Sequence, residues 1–556
     1  MAKVTINHNN GIVSAYESDR AVNLYQFLAG LKLIDAPCGG AGGCGKCKVK
    51  ILNPHVACQE KEKETFTEAE IAEGWRLACL HSIAEDITLA LPPEEVLTEI
   101  ISQGYLRDFV LKPHIAKRLD QNGNTVVMAG QEIIGIEQSD TRNRLYGLAI
   151  DIGTTTIVAG LIDLSNGQEL ASISCLNGQK TFGQDVITRI NYAMTNTNGT
   201  LIQQKTILQD LRKLIKGVIA QCSRDYTITS KDIYEITVGG NNTMIHLLAG
   251  IDPSSMGVSP YLPAFTGALV LKAVKDLHLP VSEFCLVYCL PAVSAFVGGD
   301  ITAGILACGI HQEAGNTLFI DIGTNGEMVL SRNGRLVACS CAAGPALEGM
   351  NISCGVRAAE GAIEDVQLRG SGADIVVEVS VIGNVKPTGL CGSGLLAAVA
   401  ELVRTGILHK SGRLLEHPLV EKVAGKKRFV IDRDNEIYLT QQDIRQVQLA
   451  KGAILSGIQT MVQAAGMDFS EIDRVLVAGQ FGAHLKAESL TGSGLIPREL
   501  ESVITYVGNT SKSGAYLCLL STAERETVEK VAGQVSYIEL SHLEGFDNVF
   551  VKAMEF

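Results

Sequence analysis

The sequence contains no block of lysine or arginine, no basic-then-apolar leader and no long apolar run free of helix breakers. With a formal net charge of -13 over 556 residues, the first absence argues against a nucleic-acid or anionic-membrane surface. The start "MAKVTINHNN" has no leader pattern, and one of the longest uncharged runs, Phe284 to Gly299, holds Pro291 and closes on Gly-Gly before Asp300. A soluble, cytoplasmic protein is therefore expected. Neither G-x-G-x-x-G after an apolar strand nor G-x-x-x-x-G-K-[ST] occurs, which excludes those two nucleotide-binding signatures. Disulfides are not implied by the fifteen cysteines either. Eleven lie outside one tight cluster, many in apolar runs such as "VACSCAAG", as reduced buried cysteines do. The length exceeds one core, so a small domain and a large bilobed one are expected.

What is present begins with "CGGAGGCGKC", Cys38 to Cys47. Cys38, Cys44 and Cys47 are spaced C-x5-C-x2-C, and 31 residues separate Cys47 from Cys79 in "WRLACL". Four sulfurs suffice for zinc or for an iron-sulfur cluster. Zinc sites more often join two short C-x2-C knuckles, whereas three ligands in one glycine-rich loop and one distant ligand favour [2Fe-2S]. Bare backbone in that loop lets N–H groups turn onto inorganic sulfide. Cys58 is the rival for the fourth position, but its setting "NPHVACQEKEKE" is polar, as for a cysteine at the solvent edge. The flanks read as a hairpin ("KVTI", Asn-Asn-Gly, "IVSAY") and a helix capped at Ser18 or Asp19 that carries Leu24, Phe27, Leu28 and Leu31. Two strands follow, "CKVKIL" with Val49 and Ile51 inward, and "DITLALP".

This N-terminal part, residues 1–93, resembles the ferredoxin family of β-grasp fold. Its loop is similar to the adrenodoxin type, one residue longer than the plant-type spacing, with "RLAC" supplying the fourth ligand. Residues 94–145, with prolines, mixed charge and patchy periodicity, read as a connector that has room for a strand or helix of its own.

In residues 146–556 one pattern occurs twice. "LYGLAIDIGTTTIVAGLIDLSNGQELASIS" and "NTLFIDIGTNGEMVLSRNGRLVACS" each read as strand, Asp-Ile-Gly-Thr, strand, Asn-Gly turn, strand. The carboxylates are Asp151 and Asp321. Each is followed by a turn, Gly153-Thr154-Thr155 or Gly323-Thr324-Asn325, whose N–H and hydroxyl groups suit phosphate with Mg2+. "GGNNTMIHLL" and "GLCGSGLLAAVAEL" each end a strand and open a helix, the second at Gly392 and Ser393. Asp300 in "FVGGDITAG" and Glu348 in "AAGPALEG" either orient an attacking water or only cap helices. Cys285, Cys289, Cys308, Cys339, Cys341, Cys354 and Cys391 form no tight loop and read as buried small hydrophobes.

The duplicated motif resembles the acetate and sugar kinase, heat-shock chaperone and actin superfamily. "VLVAGQFGAHL" is similar to its adenosine motif, which would place Gly479 and Gly482 against the nucleoside. Gln448 and Lys451 in "DIRQVQLAKGAI" resemble the adenine-edge helix of the chaperone branch, or belong to a solvated face. A ribonuclease-H-like, bilobed α/β domain binding ATP and Mg2+ is implied.

Taken whole, with "VGGNNTMIHLL", "AAGPALEGMNISCG", "CGSGLL", "LAKGAI" and "AGQFGAHL" in order, the chain resembles the reductive activators of corrinoid proteins. That resemblance implies ATP-dependent reduction of a Co(II) corrinoid protein to Co(I), within a methyltransferase or O-demethylase system of anaerobes. An electron would come from a low-potential donor through a [2Fe-2S] cluster on Cys38, Cys44, Cys47 and Cys79. The short connector implies that a separate dimerising middle domain of longer relatives is reduced or missing, which leaves a homodimer an open expectation. Two alternatives stand beside this reading. One is an ATP-gated activator of another low-potential enzyme of dehydratase type; the other is a redox-sensing regulator without turnover.

Overall fold

The computed structural model describes residues 1–7, 13–31, 33–34, 40, 47–52, 56–91, 104–223, 225–423, 425–479 and 485–556. They form two compact units, residues 1–96 with 178–192 and residues 97–177 with 193–556.

In the first unit β1 (Ala2–Asn7) and β2 (Val13–Ser18) pair antiparallel, and β5 (Ile87–Ala90) lies parallel to β1. β3 (Lys48–Ile51) joins β5 to β4 (Trp75–Leu77), giving the order β2-β1-β5-β3-β4. Alternation turns Val4, Ile6, Val49 and Leu89 inward onto α1 (Leu24–Gly30), whose Leu24 and Leu28 are also fully buried. This is the mixed sheet with one packed helix expected of a β-grasp fold. The cap of α1 differs from expectation. Asn23, rather than Ser18 or Asp19, accepts from the N–H groups of Tyr25 and Gln26 at 3.0 and 3.3 Å, because β2 runs on to Ser18. The Asn-Asn-Gly turn lies outside the described residues.

Residues 178–192 enter this unit from far along the chain, interrupting the stretch 146–556 that the sequence presents as one domain. They comprise a 3-10 turn at Gly178–Phe182 and most of α3 (Val186–Thr195). The rings of Phe182 and Tyr192 pack with centroids 4.7 Å apart, tilted by 42°, and fully buried Arg189 donates from Nε to the Gly183 carbonyl at 2.8 Å.

The second unit contains a duplicated sheet. In its first half β9 (Tyr146–Ile152), β10 (Thr156–Asp163) and β11 (Glu169–Leu176) run antiparallel, then β12 (Ile233–Gly240) and β14 (Leu286–Cys289) continue parallel from β9. The second half repeats this with β15 (Asn316–Ile322), β16 (Gly326–Arg332), β17 (Arg335–Cys341), β24 (Arg474–Ala478) and β25 (Ile504–Gly508). Both therefore read three-two-one-four-five across the sheet. One extra edge strand completes each, β13 (Leu269–Lys272) beside β14 and β26 (Ser536–Tyr537) beside β17. Strand β12 is buried along its whole length, as a parallel strand covered on both faces must be.

The connector is structured from Gly104 on. Tyr105 and Lys112 donate to the carbonyls of Val507 and Leu520 at 2.7 and 2.8 Å, which ties residues 104–112 into the second unit. Strands β6 (Ile115–Leu119), β7 (Thr125–Ala129) and β8 (Glu132–Glu137) then form an antiparallel sheet that buries Ile115 and Val127 against Tyr234. Among the described residues no helix is long and apolar enough to cross a membrane.

Candidate functional site

In the first unit, the antiparallel register of β3 and β4, Lys48 opposite Leu77, brings the residues flanking those strands together. Ala78 donates its N–H to the Cys47 carbonyl at 2.9 Å, and the Cys47 and Cys79 sulfurs lie 3.1 Å apart in a buried pocket. The separation exceeds an S–S bond, so two thiols not joined by a disulfide point at one spot, as two ligands of a common centre do. Asn23 fixes the second of them by donating to the Cys79 carbonyl at 2.8 Å. The thiol beside Cys47 is thus that of Cys79; Cys58 donates instead to the Gln59 carbonyl at 3.4 Å. Cys38 and Cys44 lie outside the described residues.

The second unit gathers both repeated turns onto one cleft. Asp151 at the end of β9 and Asp321 at the end of β15 line it, with Gly153, Thr154, Thr155, Gly323, Thr324 and Asn325. Gly392 and Ser393, the first residues of α7 (Gly392–Arg404), line it too. Glu348 joins the halves: one carboxylate oxygen accepts from Thr155 Oγ1 at 2.8 Å and the other from Thr324 Oγ1 at 2.7 Å. It holds two turns rather than capping a helix. Asp300, in the first turn of α6 (Gly299–Cys308), completes the expected acidic groups, and its carboxylate accepts from the Ile301 N–H at 2.9 Å.

Several polar residues of the cleft were not named individually from sequence. Asn241 caps α5 (Asn242–Ala249) and donates to Thr154 Oγ1 at 3.1 Å. Asn509 caps α10 (Thr510–Leu520) and donates to Asp151 Oδ2 at 2.9 Å. Glu327 on β16 sits directly opposite Asp321, where the first hairpin has Val158 opposite Asp151. Arg357 also faces the cleft. A Gly-Asn pair closing a strand before a helix, and a carboxylate in an otherwise apolar strand, were the available signals.

Packed together and buried, four of these carboxylates, Asp151, Asp300, Asp321 and Glu327, are harder to ionise than usual. Burial, with Asp300 and Asp151 adding to it, pushes Asp321 up to about 8. Burial and the Asp151 charge bring Asp300 to about 7. Burial also raises Asp151, against the bonds from Ser511 and Asn509, and lifts Glu327 well above the usual carboxylate range, with Asp300 and Asp321 contributing. Such a cleft suits a divalent cation. Among the described residues no three ligating side chains converge to hold one alone. Mg2+ keeps waters and takes one or two carboxylates plus substrate phosphate.

Gly479 occupies the corner where β24 leaves the sheet, with φ at +105°, and a Cβ there would stand 2.4 Å from the Ile322 carbonyl oxygen and 3.1 Å from Asp321 Oδ1. Gly479→Ala is therefore expected to destabilise the protein by about 1–3 kcal/mol, read by chemical unfolding. An unchanged unfolding midpoint would contradict this close approach. Gly482 lies outside the described residues.

Lys451 is not in the cleft. It belongs to α8 (Gln441–Ala464), and its ammonium group donates to the carbonyls of Ala553 and Glu555 at 2.6 and 2.5 Å. Gln448, one turn earlier, donates to the Met554 carbonyl at 3.0 Å. The face expected to meet adenine, or solvent, is covered by α12 (Phe546–Ala553) and the residues after it. Of the scattered cysteines, Cys285, Cys289, Cys308, Cys339 and Cys341 are buried, Cys354 is half-buried, and Cys391 borders the cleft.

The chain matches the model of the 2Fe-2S iron-sulfur cluster binding domain over residues 7–83, that of the RACo middle region over 146–313, and that of the C-terminal ASKHA domain of RACo over 315–556. It is 31% identical over 549 residues to the corrinoid activation enzyme RamQ of Eubacterium limosum, spanning 91% of each chain. The chain belongs to the family of reductive activators of corrinoid proteins. A second relative, the [Co(II) methylated amine-specific corrinoid protein] reductase of Methanosarcina barkeri, is 25% identical and covers 73% of this chain and 76% of its own. A solved structure titled reductive activator for corrinoid, iron-sulfur protein superposes with a TM-score of 0.71 at 31% identity, over 100% of this chain and 98% of that one. The family's middle region coincides with the first half of the duplicated sheet, β9 to α6, and its C-terminal domain with the second half. The stretch that matches the family's middle region thus lies within residues 146–556 and not in the connector at 94–145.

The two groups that this family's domains imply fit the residues present. Converging thiols at Cys47 and Cys79, with no disulfide between them, suit a [2Fe-2S] cluster. The carboxylate-lined cleft between two glycine turns suits Mg2+ with ATP.

Proposed function

We infer that the protein reductively activates a corrinoid protein, passing one electron to a Co(II) corrinoid to give Co(I), in a reaction that depends on ATP. The observation that carries this reading is the presence in one chain of a converging thiol pair in a ferredoxin-like unit and an acid-lined, two-turn cleft in an ATPase-like unit. Similarity to RamQ along nearly the whole length supports it.

When bound, the cluster supplies a one-electron carrier and Mg·ATP supplies the free energy. Downhill electron transfer needs no nucleotide, whereas moving one electron up a 100 mV gap costs about 2.3 kcal/mol, within reach of the binding difference between two conformations. In this reading Cys38, Cys44, Cys47 and Cys79 hold the cluster. Asp151 and Asp321 orient the hydrated cation, and the turns at 153–155 and 323–325 receive phosphate. Gly479 and Gly482 leave room for the nucleoside. Asp300, which bears no turn-to-turn bond, is free to order the attacking water, while Glu348 holds the turns. The electron comes from a low-potential donor, and the working form is a cytoplasmic homodimer. Thirteen cysteines outside any disulfide, among the described residues, support a reducing compartment.

Spectral conversion of a Co(II) corrinoid protein to Co(I) is expected to require both a reductant and ATP. Conversion that proceeds equally well without ATP would remove the role given to the second unit.

A further inference from the structure

We propose that Arg357 is the residue by which the cleft distinguishes ATP from ADP, its guanidinium taking the terminal phosphate. This rests on the reading of the cleft as a nucleotide site. The lining includes five carboxylates, Asp151, Asp300, Asp321, Glu327 and Glu348, and among the described residues Arg357 is its one cationic side chain. Arg357 is half-buried, yet among the described residues it forms no ion pair and no side-chain hydrogen bond. A mobile arginine surrounded by acids would fold onto one of them. The backbone just before Arg357 is pinned.

The hold is visible in the loop between β17 and β18 (Ala362–Arg369). Val356 donates its N–H to the Leu390 carbonyl at 2.9 Å, and Gly355 donates to the Ile352 carbonyl at 3.0 Å. Two points within the loop also come close. A Cβ on Gly349, where φ is +75°, would stand 2.2 Å from the Val356 carbonyl oxygen, and one on Gly355 would stand 2.0 Å from the Gly349 carbonyl oxygen. Glu348 and Arg357 are the chain neighbours of Gly349 and Val356, so their side chains leave from backbone points in contact. Glu348 marks where the two repeated turns meet, by bonding Thr155 and Thr324. Arg357 is delivered to that same end. A phosphate lodged between both turns is the terminal one, and a guanidinium matches its oxygens with a planar fork of donors. ADP has no group to place there.

The test is calorimetric titration of the full-length protein with Mg·ATP, its non-hydrolysable imido analogue and Mg·ADP, for wild type, Arg357→Gln and Arg357→Lys. Wild type is expected to favour the triphosphates. Arg357→Gln should weaken both by about 10- to 100-fold and leave ADP little changed, and Arg357→Lys should restore part of the preference. Equal losses for ATP and ADP, or no loss for either, would overturn the assignment of Arg357. A wild type that binds neither nucleotide would instead remove the reading of the cleft, and the proposal with it.

Discussion

Asp321→Asn is expected to abolish ATP-dependent corrinoid reduction, by about 100-fold or more, while iron content and visible spectrum stay at the wild-type level. The electron carrier and the cleft belong to different units, so the substitution touches only one of them. The same variant should be more stable than wild type when nucleotide is absent and the solution is alkaline. In the folded protein Asp321 titrates at about 8 instead of its ordinary 3.8, so between those values the folded state keeps a proton that the unfolded state has lost. Stability from this group is complete below about pH 4 and falls as pH rises toward 8. An asparagine carries no charge to bury. The wild type should therefore lose stability on going from pH 6 to pH 9, by roughly 1.4 kcal/mol for each pH step of one across which the folded state alone holds that proton, and the variant should lose less. Mg·nucleotide should restore the wild type. A variant that melts below wild type at pH 8.5 without nucleotide would show that the carboxylates do not strain one another.

Cys79→Ser should have an effect of similar size on the opposite half of the chemistry. Replacing one thiolate leaves a hard, weakly coordinating oxygen beside Cys47, and affinity for the cluster should drop by at least about 100-fold. Iron analysis and the reduced-state EPR signal would both report its loss. Nucleotide binding should survive, since every described residue of the cleft lies in the second unit. Cys58→Ser serves as the control. Loss of the signal in that variant, with retention in Cys79→Ser, would transfer the ligand role to Cys58.

The features legible in the sequence were those whose chemistry is local. Three cysteines fall in one ten-residue loop, and each Asp-Ile-Gly-Thr unit carries its own strand, turn and strand, so the pattern repeats visibly. The helix at Leu24 showed through its apolar spacing, yet its cap was misplaced by several residues, because nothing local reveals that β2 continues to Ser18. What escaped was assembled over distance. Asn509 reaches Asp151 across 358 positions of chain, and only strand order puts them together. Lys451 went wrong for the same reason: a polar helix face looks solvated until another segment covers it, and the covering residues lie more than 100 positions away. Residues 178–192 group with the N-terminal part only in the folded chain, since they stand far from it in sequence.

The carboxylate of Glu348 is an internal competitor. It occupies the hydroxyls of Thr155 and Thr324 from both sides. Any phosphate that uses those hydroxyls must first evict it, so ligand entry is an exchange rather than the filling of a gap. A phosphate on those hydroxyls and the clasp between the two turns are thus alternatives. Turnover in such a site is a cycle between two rival occupants, only one of which is ever free to diffuse away.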